Sequence, residues 1–317
     1  MTRTDPVTGA RNGRRPISVA DLPAPLTATP ADPPAHHVRA ALDLRLRALL
    51  AHDPGTRVGT DIEDLHQMRV SVRRMRAALK AARPLLDGPW SDGLREELGR
   101  LGRALGPVRD LDVLLLRLGG EAASLPAAER RAAEQLVAAL ETEREQARAE
   151  MLAALSAPRY AALLERLADA IRLPLPTPSA TQAQPELVDL VRREAHKLRR
   201  NVERAGEHPP DATLHELRIR VKRVRYVGEL VVPMLGRPVK RLLQATAVLQ
   251  EVLGDHQDAC VAEERIRGLL DGLGESPDAL MVFVAGRLVE RERTRAEQKR
   301  TEWWVAWEQV RERAAEL

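Results

Sequence analysis

Two histidines in this chain each head a row of cations. His66 is followed by Arg69, Arg73, Arg76 and Lys80, with Arg74 beside the row. His215 is followed by Arg218, Lys222 and Arg225, with Arg223 in the place of Arg74. Arginine offers planar, bidentate donors and lysine a movable point charge, so a spaced series of both suits phosphate oxygens repeated along a chain. A histidine at the head of the row adds a hydrogen bond and gains charge near neutral pH when an anion is close. The implied chemistry is capture of a polyanion. Neither histidine has a second His or Cys at ligand spacing, which argues against a metal held by the pair.

The spacing is helical. His66, Arg69, Arg73, Arg76 and Lys80 step by three and four residues, which confines them to roughly an 80° arc of a helix. Leu65, Met68, Val72, Met75 and Leu79 form a neighbouring apolar stripe at the same steps, and Leu214, Leu217, Val221 and Val224 repeat it. One stripe is expected to pack the core while its neighbour presents cations about one turn, roughly 5.4 Å, apart. Arg74 and Arg223 lie about 80° away from the histidines and are the least central of the set. Like charges at these steps repel by a few tenths of a kcal/mol per pair in an isolated helix. Yet Asp and Glu are absent from 69–86 and from 217–228. The competing reading is a solvated arginine face neutralised by carboxylates of other helices, such as Glu96, Glu97 or Glu251. Each histidine has its own competing reading, as an ordinary packed side chain.

Repetition favours the functional reading. Leu65–Arg76 recurs as Leu214–Arg225 with half of its positions identical, and only Ser71 against Arg220 is a marked change. Leu101, Leu105, Gly106, Asp110 and Val113 recur in the same order as Leu249, Leu253, Gly254, Asp258 and Val261. The chain therefore reads as a duplicated unit.

The elements that must position these rows follow from start and stop signals. Asp64-x-x-Gln67 and Thr213-x-x-Glu216 fit the capping-box pattern, which places both histidines in a first helical turn, where free N–H groups favour an anion. Asp53-Pro54-Gly55 and Gly59 read as a turn before the first row. Gly106-Pro107 reads as a helix stop and restart, a hinge. Asp110 and Asp258 would then cap or orient a row arginine. Arg103 and Arg109 could extend the cation surface of the first unit, whereas their counterparts Glu251 and Gln257 could not.

Composition bounds the rest. Of 317 residues, 44% are hydrophobic but only 2% aromatic, a Leu/Ala/Val-rich mixture with Arg and Glu that is typical of helical proteins. Net charge is +4, from 50 basic and 46 acidic residues, so any strong positive field must come from local clustering. Cys260 is the one cysteine, which excludes an internal disulfide and any cysteine-based metal cage. No apolar run is long enough to span a membrane, and no signal-peptide core is evident, so a cytoplasmic location is expected. Residues 1–37, rich in Pro and Thr, read as a disordered arm. Residues 38–173 read as a first helical unit, 174–185 as a linker and 186–317 as a second unit. The expected fold is all-α: two four-helix bundles related by a pseudo-twofold axis, without strands. Trp303 and Trp307 share a helix face and are expected in the core.

The duplicated His-x-x-Arg-x-x-x-(Lys/Arg)-Arg-x-Arg pattern, with Leu-Gly-x-x-x-Asp downstream, resembles the CHAD family (conserved histidine α-helical domain) over about 38–317. The resemblance implies one such domain, with a basic groove or pore that binds inorganic polyphosphate and targets the protein to polyphosphate granules, where protein partners are conceivable. Carried onto this chain, the binding residues are His66, Arg69, Arg73, Arg74, Arg76, His215, Arg218, Lys222, Arg223 and Arg225, with Lys80 added from its place in the row. Ser71 against Arg220 and Arg103 against Glu251 are departures between the two halves. Relatives are often fused to a triphosphate-processing domain marked by a Glu-x-Glu-x-Lys strand, which this sequence lacks.

Three functions follow from these readings. Non-catalytic polyphosphate binding needs no base recognition and should be steeply salt-dependent. Nucleic-acid backbone binding is an alternative, weakened by the scarcity of aromatic stacking platforms, so no specific nucleic-acid partner is expected. A phosphohistidine carrier or metal-dependent phosphate enzyme is the third. The sequence offers it no P-loop and no carboxylate cluster, and neither catalytic residues nor a cofactor are expected.

Overall fold

The computed structural model describes residues 17–177, 186–274 and 276–317. Among them the regular structure is helical, with no strand. The long helices are α1 (Pro34–Val58), α2 (Ile62–Ala81), α3 (Gly88–Ala123), α4 (Ala127–Ser156), α5 (Pro158–Arg172), α6 (Leu187–Ala205), α7 (Asp211–Leu235), α8 (Arg237–Asp271) and α9 (Ala279–Ala314). The two cation rows lie on α2 and α7. None of the described helices is long and apolar enough to cross a membrane.

The apolar stripes explain the packing. Leu65, Met68, Val72, Met75 and Leu79 are all buried on α2, as are Leu214, Leu217, Val221 and Val224 on α7. Trp303 and Trp307 are buried on α9, and the Trp303 indole donates to the Glu207 carbonyl at 3.1 Å. One contiguous core runs from Leu22 to Val310 through both halves of the chain. The halves therefore share an interior, and burial of this apolar area is what holds α2 and α7 against each other. Ion pairs join α9 to the first half: Arg291 to Glu121 at 2.9 Å, Arg295 to the same carboxylate at 2.6 Å, and Arg287 to Glu129.

The halves run in parallel order, α2–α3–α4 against α7–α8–α9, but the first carries an additional helix. Ala157 is extended (φ −71°, ψ 144°) and Pro158 occupies the first position of α5, where its missing N–H costs nothing. Tyr160, Leu163, Leu164, Leu167 and Ile171 then bury one face of α5, which packs on α1. The first half is thus five-helical rather than four-helical.

Three local expectations change. Helix α1 does not end before Pro54 but continues through it to Val58. An internal proline costs about 3 kcal/mol, and tertiary contacts offset it: Tyr160 donates to Asp53 at 2.5 Å and Arg57 to the Leu155 carbonyl at 2.8 Å. The turn comes at Gly59, whose φ of 78° is left-handed. The stop at Gly106-Pro107 is likewise absent, since α3 is continuous from Gly88 to Ala123. The capping boxes also shift. Asp61 caps α2 by accepting from the Glu63 N–H at 2.8 Å, Pro210 precedes α7, and Asp64 accepts instead from His52 at 2.7 Å. Both histidines therefore stand in the second turn, beyond the free N–H groups of the helix end.

The N-terminal segment is ordered over its described part. Leu22 joins the core, the Leu26 N–H donates to buried Asp43 at 2.7 Å, and Pro34–His37 already belong to α1. Residues 1–16 of the expected arm and 178–185 of the expected linker lie outside the described residues. The linker's start docks on the head of α3, where Asp87 N–H donates to the Pro176 carbonyl at 2.9 Å.

Candidate anion-binding site

Because α2 and α7 lie against each other and both bury their apolar stripes in the shared core, the adjoining cation stripes are brought together. His66, Arg69 and Arg73 of α2 and His215, Arg218 and Lys222 of α7 line one cavity of about 440 Å³, closed on its other sides by α3 and α8. Equivalent rungs meet across it: Arg73 and Arg69 are both electrostatic neighbours of Lys222. Six Arg and Lys side chains line the cavity against two carboxylates, Asp110 and Asp258.

Each carboxylate holds one arginine. Arg69 Nη2 donates to Asp110 at 3.1 Å, and Arg218 lies 3.8 Å from Asp258. The glycines of the recurring motif serve the same contact. A Cβ on Gly106 would lie 2.5 Å from Arg69 Nη1, and one on Gly254 3.6 Å from Arg218 Nη2. Gly106 therefore makes room for the close approach of a guanidinium to α3 and does not mark a break in the helix.

The histidines are oriented from α3 and α8. Arg109 Nε donates to His66 Nδ1 at 3.1 Å, which leaves the proton of the neutral ring on Nε2. At the equivalent place Gln257 Oε1 accepts from His215 Nδ1 at 2.6 Å, so Nε2 of the neutral ring is bare and becomes a donor only on protonation. Arg109 thus contributes a cation as well as orientation, and Gln257 orientation alone.

Titration reflects burial first and the crowding of positive charge second. Burial, reinforced by Arg218 and Arg73, lowers the Lys222 ammonium to about 7. Burial and the Arg109 guanidinium lower His66 below its ordinary value. Both groups lose protons that an anion in the cavity would restore.

Arg117 also lines the cavity, and the sequence reading missed it. Its signal was positional: it stands two helical turns after Asp110 on the same face of α3. It is held by the buried carboxylate of Glu292 at 2.6 Å.

The remaining candidates lie elsewhere. Arg76 and Lys80 are exposed further along α2. Arg76 neighbours Arg103 and Arg95, and Lys80 neighbours Arg223 and Arg95, which makes a second basic surface continuous with the row but outside the cavity. Arg74 and Arg225 are drawn to Glu229, at 3.3 and 3.7 Å, with Arg45 3.7 Å from the same carboxylate. Glu96 and Glu97 serve Arg100 and Arg159 rather than either row.

Comparison with known proteins agrees with this fold. Residues 40–267 match the model of the CHAD domain family. Two uncharacterized proteins of Mycobacterium tuberculosis, MT2285 and Rv2226, are each 29% identical over 274 residues, covering 84% of this chain and 52% of theirs. The chain spans about half the length of these curated relatives. The crystal structure of the CHAD domain from the plant Ricinus communis superposes with a TM-score of 0.70 at 24% identity, over 94% of this chain and 97% of that one. PptA from Streptomyces chartreusis gives a TM-score of 0.70 at 22% identity, over 87% and 100%. With an all-helical fold and a family match that spans both cation rows, this chain belongs to the CHAD domain family.

Proposed function

We propose that the protein binds inorganic polyphosphate, without catalysis, along the paired faces of α2 and α7, and that this binding targets it to polyphosphate granules. The observation that carries the reading is the convergence of both rows on one cavity in which cations outnumber carboxylates. A chain with a charge on every phosphate can relieve that excess at several rungs together, while a monoanion relieves one. Phosphate units would be held by Arg69, Arg73, Arg109, Arg117, Arg218 and Lys222, with His66 as a hydrogen-bond donor and His215 as one in its protonated form. The chain would continue over Arg76, Lys80 and Arg223. The two matched rows are what descent from a duplicated half would leave.

The test is calorimetric titration with long-chain polyphosphate at about 0.15 M salt, beside tripolyphosphate and duplex DNA of equal phosphate content. Tight, saturable binding of the long chain, undisturbed by DNA, is the expected result. Equal competition by DNA would make the cavity a generic electrostatic surface. Release of orthophosphate that is lost in His66→Ala would replace binding by catalysis.

A further inference from the structure

His256 lies within the second Leu-Gly motif yet takes no part in the cation cavity. It is almost fully buried, and its Nε2 is 3.1 Å from Asp211 Oδ1. Cys260, one helical turn on, places its Sγ 3.9 Å from the same Nε2. One donor atom from each of the three lies within 4.8 Å of the others. Four-coordinate zinc, with bonds of about 2.0–2.3 Å to O, N and S, sets its donors roughly 3.2–3.7 Å apart, so the imidazole already stands near that spacing from both partners and the carboxylate and thiolate would close by up to about an ångström through side-chain rotation.

The surroundings point the same way. Asp211 and Cys260 open onto a cavity of about 630 Å³ whose other charged lining is Glu263, Glu290 and Glu297 against Arg293 and Arg300. In a chain whose net charge is +4, this cavity carries an excess of carboxylates and favours a cation. Arg300 contacts Asp211 but also donates to the Pro209 carbonyl at 2.6 Å and pairs with Glu297 at 3.3 Å, so it keeps two acceptors if Asp211 turns to a metal.

We propose that Asp211, His256 and Cys260 form a site for a borderline-soft divalent cation, zinc in the first instance, with a solvent molecule as fourth ligand. One carboxylate, one imidazole and one thiolate match the N/O/S preference of zinc and not that of magnesium or calcium. Histidine and cysteine at i and i+4 share one face of α8, and Asp211 is the first residue of α7. Cys260 binds as thiolate and its proton passes to solvent. The metal would pin the start of α7 to α8 beside Gln257 and Asp258, which hold the head of the second cation row.

The full-length protein, stripped of metal, is titrated with Co²⁺ and followed by absorption. One equivalent should produce thiolate-to-cobalt charge-transfer bands and the intense visible bands of four-coordinate cobalt, both removed by one equivalent of Zn²⁺. Cys260→Ser should abolish the charge-transfer bands and weaken Co²⁺ binding about tenfold or more. Asp211→Asn should weaken binding while retaining the bands. These two positions are partly or fully exposed, so their variants test the metal rather than the core, and circular dichroism checks the fold. Absence of charge transfer at stoichiometric Co²⁺, or unchanged affinity in both variants, overturns the proposal. The readout uses metal alone, so its failure leaves the polyphosphate reading intact.

Discussion

Arg73 and Arg74 are consecutive residues of one helix, yet the first has the Lys222 ammonium as a neighbour and the second the Glu229 carboxylate. Arg73 faces Lys222 in a cavity where cations exceed carboxylates, and burial, reinforced by the neighbouring guanidinium groups, takes Lys222 down to about 7. Arg74 joins Arg45 and Arg225 around Glu229, which neutralises part of that cluster from within. The asymmetry arises because Glu229 occupies the place in the second row that Lys80 holds in the first. Charge density along a helix therefore does not identify a binding surface. What matters is the sum of the charges that the fold places around each cation, since a carboxylate at contact distance offsets part of it, as at Arg69, Arg218 and Arg117 within the cavity.

The largest effect should come from reversing charge inside the cavity. Arg73→Glu and Lys222→Glu should each weaken polyphosphate binding by on the order of 2–5 kcal/mol, as for other desolvated charge contacts. Arg130→Glu on the exposed face of α4 should change it by well under 1 kcal/mol. Equal losses from all three in a titration would reduce the site to a diffuse field.

Proton linkage comes next. Lys222 is lowered to about 7 in the free protein, and a bound polyanion raises it, so the complex holds more protons than the free form above that value. Affinity should therefore fall as pH rises from about 6 to 8, by at most about tenfold per unit for each proton taken up. His66, lowered in the free state, works in the same direction. Lys222→Arg should flatten the profile. An unaltered slope in that variant would assign the linkage elsewhere.

The comparison itself is sharpened by Arg74→Ala set against Arg73→Ala. The former should cost binding only a few-fold, and Glu229→Gln should strengthen it by a similar factor, since it releases Arg45, Arg74 and Arg225. Weakened binding on loss of Glu229 would show that the internal pairs position the row. The smallest effect is expected at the glycines. Gly106→Ala forces the Arg69 guanidinium to move and should lower affinity a few-fold, whereas Gly254→Ala, with its nearest atom at 3.6 Å, should be close to neutral.

The spacing of His66, Arg69, Arg73, His215, Arg218 and Lys222 in sequence was enough to place them on two helices, beside stripes that had to be buried. That much is local: helical period and apolar burial act on neighbours in sequence. Pro54 and Pro107 were misleading for the complementary reason. A local breaker signal was overridden by contacts from α4 and α5 in one case, and α3 is continuous through the other. The roles of Arg109 and Gln257 as partners of the histidines depend on contacts across more than forty residues. No periodicity reports these.

The sequence by itself determined the helical class, the buried stripes and the presence of two matched cation rows, because each depends on which side chains share a helix face. Only the tertiary structure decided which rungs form the site. It turned α2 and α7 so that six row residues meet over one cavity, sent Glu229 to Arg74 and Arg225, and left Arg76 and Lys80 outside. The physical reason is that the strength of a charge is set by its distance to other charges and by its access to water. Both become defined when the helices pack.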